Sequence, residues 1–526
     1  MQPKWYVFIL ITVVLFPAKM PAQNYQLEHL QQFVGWQTNL YLGWNLLNAG
    51  DLNNDGFDEY ISWSVNRDST LLFYGAFPAN TRPEIVFREM GRFGFGEISI
   101  DAMIADLNGD GIQEFIQPYF GSGTTTVIHH LVAGMDSVPD LILGYGAENA
   151  ATGDLNGDGY DDVILARPDS LNYTGLIRIF MGGDPFDLQP DYVFEGDSIW
   201  FRLGWDVTTG DLNGDGYDDL VLMGNDGGFG PGFEYIRIYF GSATFDTNYD
   251  LHMNDPSQDP ETFGFIPLRL ESFDYNLDGY EDLFVGGGFI YNGGATFDTI
   301  PEFHLIWPDS SFDAYAAAFY FNVGDLNKDG YPDLGIGMPN MFGTKGLTHI
   351  RLGGSSGFDE DYLILEPSSG SFFGRGMVGV RDRTGDGVDD LIVGEPGYNF
   401  GEFRGRMHFF AGDSTLQSNT VGIEQLSDDV PTGFELLQNY PNPFNGSTTI
   451  PFSVVTASDI ELQIIDIQGR LVHNYRQRSV APGSYEWRWD GRNREGEAVA
   501  SGIYFYRLQL NEKSRGIQTR KLIYLK

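Results

Sequence analysis

Asp154-Leu-Asn-Gly-Asp-Gly-Tyr-Asp-Asp162 is one of seven copies of a nine-residue motif in a chain of 526 residues. The other copies begin at Asp51, Asp106, Asp211, Asp274, Asp325 and Asp382. Successive copies start 55, 48, 57, 63, 51 and 57 residues apart. Repetition at such a period predicts an array of similar structural units.

Each copy places oxygen-bearing side chains at alternate positions. Positions 1, 3 and 5 are Asp, Asn and Asp in six copies, position 6 is Gly, and position 9 is Asp or Glu. Since Gly permits a sharp turn, these oxygens can surround one hard cation, with the carbonyl of position 7 as a further ligand. Ca²⁺ accepts about six to eight oxygens in irregular geometry, whereas Mg²⁺ requires a tight octahedron. The motif therefore favours calcium.

We predict up to seven bound Ca²⁺, one in each copy; acidic turns that bind no metal are the alternative. Thr384 stands where the other copies have Asn, so the seventh copy has the weakest third ligand. The predicted ligands, at positions 1, 3, 5, 7 and 9 of the copies, are Asp51, Asn53, Asp55, Phe57, Glu59, Asp106, Asn108, Asp110, Ile112, Glu114, Asp154, Asn156, Asp158, Tyr160, Asp162, Asp211, Asn213, Asp215, Tyr217, Asp219, Asp274, Asn276, Asp278, Tyr280, Asp282, Asp325, Asn327, Asp329, Tyr331, Asp333, Asp382, Thr384, Asp386, Val388 and Asp390.

The acidic side chains are concentrated upstream of residue 424. The formal net charge is -42, from 31 Lys and Arg against 73 Asp and Glu, while residues 424–526 carry 12 of each sign. The seven motifs hold 26 of the 61 acidic residues that remain upstream. Affinity for phosphate backbones comes mainly from Lys and Arg, so this charge argues against a nucleic-acid partner.

Short apolar runs on both sides of each motif predict β-strands, as in Trp205–Thr209 before the fourth copy and Leu220–Met223 after it. A third strand ends in a glycine turn such as Met181-Gly-Gly, and a fourth often follows a proline, as at Pro190. An EF-hand does not fit, because it needs flanking helices and a Glu at position 12. Four strands in each of seven repeats predict an all-β chain whose residues 23–413 form a seven-bladed β-propeller.

The motifs resemble the FG-GAP repeats of integrin alpha chains, whose propeller blades carry Asp-x-Asx-x-Asp-Gly-x-x-Asp calcium loops between strands. Phe263-Gly264 and Phe373-Gly374 loosely match the phrase that names the repeat. The resemblance spans about residues 25–414 and implies a calcium-binding propeller. All seven repeats carry loops here and no room is left for an inserted adhesion domain, so integrin-like ligand binding does not carry over.

The first 22 residues are predicted to be a secretory signal peptide. Lys4 precedes an apolar stretch from Trp5 to Phe16, and a candidate cleavage point follows Ala22. Neither this stretch nor any later one is long enough for a membrane-spanning helix, so we expect no transmembrane segment in the mature chain. The sequence contains no cysteine, so disulfides cannot stabilise the exported fold, and bound metal is one substitute.

The last repeat lacks a fourth strand, because a polar segment begins after Gly412. A vacant sheet edge would leave the ring unsecured between its first and last blades. The segment Tyr25–Phe33 precedes the first repeat and contains apolar side chains at Leu27, Leu30 and Phe33. We predict that this segment pairs into the last blade and closes the ring.

Residues 414–433 are predicted to be a polar linker, and residues 434–526 a small immunoglobulin-like β-sandwich. The latter segment resembles the C-terminal sorting domain of type IX secretion substrates through Gln438-Asn-Tyr-Pro-Asn-Pro-Phe-Asn445 and the final Lys521-Leu-Ile-Tyr-Leu-Lys526. The resemblance implies that secretion machinery recognises this domain and carries the folded protein across an outer membrane. An immunoglobulin-like spacer or a carbohydrate-binding module is the alternative.

The sequence favours a binding module over an enzyme. Gly353-Gly-Ser-Ser-Gly357 fits a nucleophile elbow, but no helix follows it, and the chain has no H-E-x-x-H motif. No catalytic residue is therefore predicted. We expect a secreted or bacterial cell-surface, monomeric, calcium-binding propeller that acts as an adhesion module for a protein or glycan ligand. The alternatives are a calcium-dependent, lyase-like enzyme acting on polysaccharides and a purely structural surface module.

Overall fold

The computed structural model of the chain is built almost entirely from β-strands. The predicted signal peptide, residues 1–22, lies outside the residues that the structure describes. The described residues are 27–37, 40–64, 69–76, 78, 82–88, 102–119, 125–225, 234–254, 269–286, 288–305, 319–339, 346–354, 357–358, 363–365, 372–398, 402–416, 424–427, 435–455, 458–468, 470–480, 483–489, 491–493, 499–510 and 517–525.

The described residues upstream of 417 form seven four-stranded antiparallel sheets and one short helical segment, α1, Ser170–Tyr173. The strands are β1 His29–Val34, β2 Leu46–Gly50, β3 Glu59–Ser64, β4 Ser69–Phe73, β5 Ile85–Arg88, β6 Met103–Ala105, β7 Glu114–Tyr119, β8 Thr125–His130, β9 Leu141–Leu143, β10 Asn149–Gly153, β11 Asp162–Arg167, β12 Leu176–Phe180, β13 Tyr192–Glu195, β14 Asp206–Gly210, β15 Asp219–Asn225, β16 Glu234–Tyr239, β17 Leu251–Asn254, β18 Leu270–Phe273, β19 Asp282–Val285, β20 Phe289–Tyr291, β21 Phe303–His304, β22 Phe319–Asn322, β23 Leu334–Met338, β24 Leu347–Arg351, β25 Leu363–Leu365, β26 Met377–Val380, β27 Asp390–Glu395 and β28 Arg406–Phe410.

Six of these sheets contain four strands that are consecutive in sequence, for example β10-β11-β12-β13 in sheet three. The prediction of four strands per repeat is therefore confirmed. The seventh sheet has the order β1-β28-β27-β26. Its register pairs His29 with Phe410 and Phe33 with Met407, and Ala411 donates its backbone N–H to the carbonyl of Glu28 at 2.9 Å. The prediction that the N-terminal segment completes the last sheet is confirmed.

Seven buried hydrophobic clusters each join one sheet to the next, including the last sheet to the first. In the closing cluster, the ring centroid of Phe33 lies 5.5 Å from that of Phe73 in sheet one and 6.3 Å from that of Phe409 in sheet seven. The first strands of neighbouring sheets also contact one another, as β10 does β14 and β26 does β2. The sheets therefore form a closed, propeller-like ring, with their first strands at the centre.

Strand composition follows position in this ring. The second strand of each sheet is covered on both faces by the two neighbouring sheets. Such strands are continuous apolar runs, for example the fully buried Val163–Ala166 of β11. The first strands approach one another at the centre and vary in side-chain size, from the small residues Asn149–Gly153 of β10 to the three aromatic residues within Phe319–Asn322 of β22. The ring thus buries its core between sheets.

The C-terminal part forms two further four-stranded sheets, with the orders β29-β34-β31-β30 and β33-β32-β35-β36. Trp487 and Ile450 of the first sheet and Leu462 and Tyr506 of the second belong to one buried cluster. The expected two-sheet β-sandwich is therefore present. Its strands are β29 Glu424–Ser427, β30 Glu435–Leu436, β31 Thr448–Val454, β32 Ser458–Asp466, β33 Leu471–Val480, β34 Gly483–Trp489, β35 Gly502–Leu510 and β36 Ile517–Tyr524.

The predicted linker, residues 414–433, is too long at both ends. Leu416 is buried in a cluster between sheets six and seven, so the propeller extends at least to this residue. Strand β29 pairs antiparallel with β34 at the edge of the sandwich. A polar edge strand pairs through its backbone, so its sequence does not need the alternating apolar pattern that identifies strands elsewhere.

Candidate metal-binding loops and ligand face

Each of the seven motifs connects the first strand of a sheet to its second. The third motif, for example, begins after Gly153 at the end of β10 and finishes at Asp162 at the start of β11. All seven loops therefore lie on the same side of the ring, which we call the loop face. The connections between second and third strands, and those from each fourth strand to the next sheet, lie on the other side, which we call the opposite face.

The first aspartate of every motif holds its own loop together through backbone hydrogen bonds. In the third motif, Asp154 Oδ1 accepts the N–H groups of Gly157 at 2.7 Å and Asp158 at 3.1 Å, and Oδ2 accepts that of Gly159 at 2.8 Å. The bond from the glycine of position 6 to Oδ2 of position 1 recurs in all seven motifs. Seven near-identical loops therefore follow from seven near-identical sequences.

The carboxylate at position 9 is buried and ties the loop to the third strand. Asp162 Oδ2 accepts the N–H of Leu155 at 2.9 Å, and Oδ1 accepts that of Gly182 at 2.8 Å. The second bond recurs in six motifs, with Gly75, Gly182, Gly241, Gly293, Gly353 and Gly412 as donors. In the second motif, Glu114 Oε1 instead lies 2.5 Å from Nδ1 of His130.

The close approach of the third strand to the loop explains the recurrent glycine turn in the sequence. A Cβ at Gly182 would lie 2.6 Å from the carbonyl oxygen of Asp161, and one at Gly353 would lie 2.0 Å from that of Pro332. Glycine is therefore required because the third strand approaches the loop backbone too closely for a side chain. Gly353 begins the segment that fits a nucleophile elbow, so this segment begins as a structural turn.

The loops supply the kinds of oxygen ligand that calcium prefers, held by backbone N–H groups. A carboxylate oxygen has two lone pairs, so Asp154 Oδ2, which accepts one N–H, keeps a second lone pair for a cation, whereas Oδ1 accepts two N–H groups. Burial, followed by repulsion from the loop aspartates, raises the pKa of Asp162 to about 7 and the pKa of Asp219 and Asp282 to about 8. Within the described parts of the chain, no three carboxylate or imidazole side chains are grouped closely enough to hold a metal ion. The predicted ligands of each repeat, which also include an amide or hydroxyl oxygen and a backbone carbonyl, lie within one loop.

The acid at position 8, which the sequence analysis left without a role, links neighbouring loops. Asp218 Oδ2 accepts the N–H of Asp154 at 2.8 Å, from the loop before it, and Asp161 Oδ2 accepts the N–H of Asp106 at 2.7 Å. At the closure of the ring, Asp58 accepts the backbone N–H of Arg381 at 2.9 Å. Together with the bond from the N–H of Asp325 to Asp389 Oδ2, side-chain bonds of this kind join four of the seven pairs of neighbouring loops. Position 8 is Gln113 in the second motif and Pro332 in the sixth.

The seventh loop keeps this backbone pattern with altered side chains. The Thr384 hydroxyl lies 3.3 Å from Asp382 Oδ1, inside the loop. Arg383 occupies the buried position 2, where its Cζ lies 5.0 Å from the ring centroid of Phe409. A hydroxyl replaces the amide oxygen of the other six loops.

On the opposite face, arginine and aromatic side chains meet where the first strands begin. Arg375, shortly before β26, has its Cζ 5.0 Å from the ring centroid of Trp44 and 4.3 Å from that of Phe319. Arg269, directly before β18, lies 5.2 Å from the same Phe319 centroid and pairs with Asp206 at 3.4 Å. Sequence reasoning missed this cluster, because its members come from five separate repeats.

No helix among the residues described is long and apolar enough to cross a membrane.

Two parts of the chain match known families. Residues 137–222 match the FG-GAP-like repeat, and residues 442–514 match the FlgD Ig-like domain. The first match covers the third and fourth motifs, and the second covers most of the C-terminal sandwich. An FG-GAP-like repeat region followed by an Ig-like domain is therefore supported by sequence as well as by structure.

Several integrin alpha chains are similar to this protein. Integrin alpha-5 of Xenopus laevis is 26% identical over 268 residues, which are 49% of this chain and 20% of the relative. Integrin alpha-V of Gallus gallus is 27% identical over 215 residues, which cover 38% of this chain and 20% of the relative. Phosphatidylinositol-glycan-specific phospholipase D of Homo sapiens is 28% identical over 271 residues, which cover 44% of this chain and 32% of the relative. The chain therefore spans about a fifth to a third of the length of these relatives.

Two solved propeller-type structures are also similar. A lectin from Agrocybe aegerita that recognises non-reducing terminal N-acetylglucosamine aligns with 86% of this chain and 100% of its own, at 13% identity and a TM-score of 0.38. The Dos1 propeller aligns with 71% of this chain and 78% of its own, at 11% identity and a TM-score of 0.34.

Proposed function

We propose that this protein is an exported, calcium-stabilised, seven-bladed propeller that presents a ligand-binding face at a bacterial cell surface. The observation that carries the proposal is the repetition of one loop geometry seven times, with a carboxylate buried at position 9 of each. Burying seven acids in a ring of such negative charge is unfavourable without cations. Calcium at the loops would neutralise them.

Each ion would be bound by one loop. In the third loop the ligands are the side chains of Asp154, Asn156 and Asp158, the carbonyl of Tyr160 and the carboxylate of Asp162. Seven Ca²⁺ would bring 14 positive charges to the loop face. The match of residues 137–222 to the FG-GAP-like repeat supports this assignment, because that span contains the third and fourth loops.

Calcium dependence is tested by thermal unfolding of the full chain. Sites in extracellular modules commonly bind calcium at about 10⁻⁴ to 10⁻³ M, so millimolar Ca²⁺ should raise the melting temperature above that in excess chelator. Mg²⁺ at the same concentration should have a smaller effect. A melting curve unchanged by chelation would contradict the proposal.

The ligand would be a protein or a glycan bound on the opposite face by a monomeric propeller. The loop face is occupied by tightly bonded acidic loops, whereas the opposite face carries connections of varied length and sequence. Binding sites are commonly built on such connections over a rigid scaffold. An array of glycans and surface proteins, probed with the full chain in calcium, tests this part of the proposal. If no ligand is found, the purely structural module is the better explanation.

The C-terminal sandwich would act as an address for export. Its ordered motifs resemble type IX sorting domains, and the matched FlgD Ig-like family supports the fold that this role requires. The domain would direct the folded propeller across the outer membrane and then be removed or used for attachment. Accumulation in the periplasm of a protein that lacks this domain would support the assignment, whereas normal export would contradict it.

A calcium-dependent enzyme acting on acidic polysaccharides is the second candidate. It is favoured by Arg269 and Arg375 beside Trp44 and Phe319, since lyases of this kind bind uronate chains through basic and aromatic side chains. Cleavage by elimination would create unsaturated sugar ends that absorb ultraviolet light. Incubating the full chain with galacturonan in calcium and following that absorbance distinguishes the enzyme from the binding module.

A further inference from the structure

An exposed aromatic stack lies on the opposite face, where sheet three meets sheet four. Tyr173, in the β11–β12 connection, and Trp200, in the β13–β14 connection, have ring centroids 4.5 Å apart and an interplanar angle of 9°. The Cζ of Arg202 lies 4.9 Å from the centroid of Tyr173. Because Trp200 covers one side of Tyr173, the guanidinium occupies the other. Trp200, which is 40% exposed, is therefore the outer layer of the stack.

The backbone holds this stack in place. Arg202 donates its N–H to the carbonyl of Tyr173 at 2.8 Å, and Leu203 donates to that of Thr174 at 3.1 Å, so the two connections are tied together. The φ angles are 66° at Tyr173 and 72° at Trp200. Bulky residues rarely adopt such angles, because the left-handed region is sterically unfavourable for them. Strain of this kind persists where the surrounding structure fixes it, and it is concentrated at binding sites.

Carboxylates lie beside the aromatic rings. Asp169 Oδ1 lies 3.2 Å from Nε of Arg202, and its side chain is 36% exposed. Glu148 lies next to both residues and is only 2% exposed. Its Oε1 accepts no hydrogen bond from any residue in the described part of the chain. The Glu148 carboxyl is hydrogen-bonded to the backbone N–H of Asp169 and is buried, so the oxygens that this corner offers to outside donors are those of the exposed Asp169.

A second aromatic stack in the same ring shows which features of this arrangement serve only to hold connections together. Tyr41 and Phe403, in the equivalent connections between sheets seven and one, are 5.0 Å apart with an angle of 7°, and their φ angles are also positive. Tyr41 is buried, however. Aromatic stacking is therefore used to hold neighbouring connections together at both places. Only the stack that contains Trp200 also presents an exposed aromatic ring beside a carboxylate, that of Asp169.

We propose that Trp200 and Asp169 bind a neutral pyranose ring of a glycan. Such a ring has an apolar face of C–H groups that packs on an aromatic ring, and hydroxyls at its rim that donate to a carboxylate. A uronate or sialate would be repelled by Asp169 and by the strongly acidic chain. Since it names a ligand class for the opposite face, this proposal depends on the proposed function.

The test uses the full chain in millimolar calcium with neutral oligosaccharides of β-1,4-glucose, β-1,4-N-acetylglucosamine and α-mannose, and with a galacturonan oligosaccharide as the charged comparison. Titration calorimetry measures affinity, and quenching of tryptophan fluorescence reports contact with the ring. We expect at least one neutral oligosaccharide to bind. Trp200→Ala should weaken this binding at least about tenfold, and Asp169→Asn by about fivefold, since few contacts at a small site carry most of the affinity.

Two controls keep the test specific. Phe403→Ala alters the equivalent stack elsewhere in the ring and should leave sugar affinity within about twofold. Trp200→Phe keeps an aromatic platform, so it should retain binding even if Trp200→Ala fails to fold. Equal affinity in Trp200→Ala and the unmodified protein would overturn the proposal. If the protein bound only galacturonan and lost this binding in Arg375→Ala, the neutral-sugar proposal would be overturned while the proposed function stayed intact. The proposed function is tested separately, because a melting temperature that does not change with calcium would contradict it.

Discussion

Gly241 donates its backbone N–H to the Asp219 carboxylate at 2.9 Å, and a Cβ at residue 241 would lie 2.4 Å from the carbonyl oxygen of Asp218. Gly241→Ala should therefore destabilise the protein by about 1–3 kcal/mol, because the third strand must move away from the loop. The measurement is chemical denaturation in calcium. Ser242→Ala, in the same turn, is the control and should change the free energy of unfolding by less than about 0.5 kcal/mol. Equal stability of the two variants would show that the turn tolerates a side chain.

Removing one loop aspartate should remove one ion. Asp215→Ala deletes the ligand at position 5 of the fourth loop, while the other six loops keep theirs. Calcium stoichiometry, measured by equilibrium dialysis, should fall by one relative to the unmodified protein. Glu84→Ala removes an exposed acid outside the loops and should leave the stoichiometry unchanged. A loss of all bound calcium in Asp215→Ala would mean that the ions bind as a single cooperative unit.

The closing strand should contribute strongly to stability. Phe33 is buried between sheets seven and one, so Phe33→Ala leaves a cavity and should cost about 3–5 kcal/mol. Val34→Ala changes the next residue of the same strand, whose side chain is 37% exposed, and should cost about 0.5 kcal/mol or less. Urea denaturation compares the two variants. A small effect of Phe33→Ala would mean that the ring holds without this contact.

Glu148 should make stability depend on pH. Burial, with Asp169 as the next cause, raises the pKa of Glu148 from 4.5 to about 7. The folded state therefore retains a proton that the unfolded state loses, so its stabilising effect is complete below pH 4.5 and is lost as pH rises through 7. The difference corresponds to about 3 kcal/mol.

Glu148→Gln removes this titration, so its melting temperature should exceed that of the unmodified protein more at pH 8 than at pH 4.5. Glu195→Gln changes an exposed glutamate of the same sheet and should leave the pH profile unaltered. Parallel pH profiles for the Glu148→Gln and unmodified proteins would contradict the prediction.

The propeller should fold without the C-terminal sandwich. Because Leu416 is buried in the propeller, a chain that ends at residue 416 retains that contact, whereas one that ends at residue 413 loses it. The longer chain should melt at the temperature of the propeller transition in the full protein, and the shorter one several degrees lower. Differential scanning calorimetry measures both transitions. Failure of the longer chain to fold would mean that the sandwich supports the ring.

Features fixed by local pattern were predictable from the sequence. The seven motifs, the strands that flank them and the glycine turns depend on residues close together in the chain. The closing strand was also predictable, since one sheet lacked a strand and the segment containing Leu27, Leu30 and Phe33 had no other place.

Contacts between repeats were not predictable. Asp218 and Asp154 lie 64 residues apart, and their bond depends on how two sheets pack. The same holds for Arg375, whose neighbours Trp44 and Phe319 come from two other repeats. The residues of each candidate loop could be predicted from the sequence. The hydrogen bonds between loops, and the side chains that meet on the opposite face, could be identified only once the packing of the sheets into a ring was known.

The chain leaves the ring shortly after β28, a strand hydrogen-bonded to β1 on one side and β27 on the other. Tension applied through the C-terminal sandwich would therefore enter the ring at a strand that two neighbours restrain. An edge strand can separate from a single partner one hydrogen bond after another, whereas β28 must separate from two partners, one that precedes it directly in the chain and one from the N-terminal segment. The closing strand thus makes the exit point mechanically resistant.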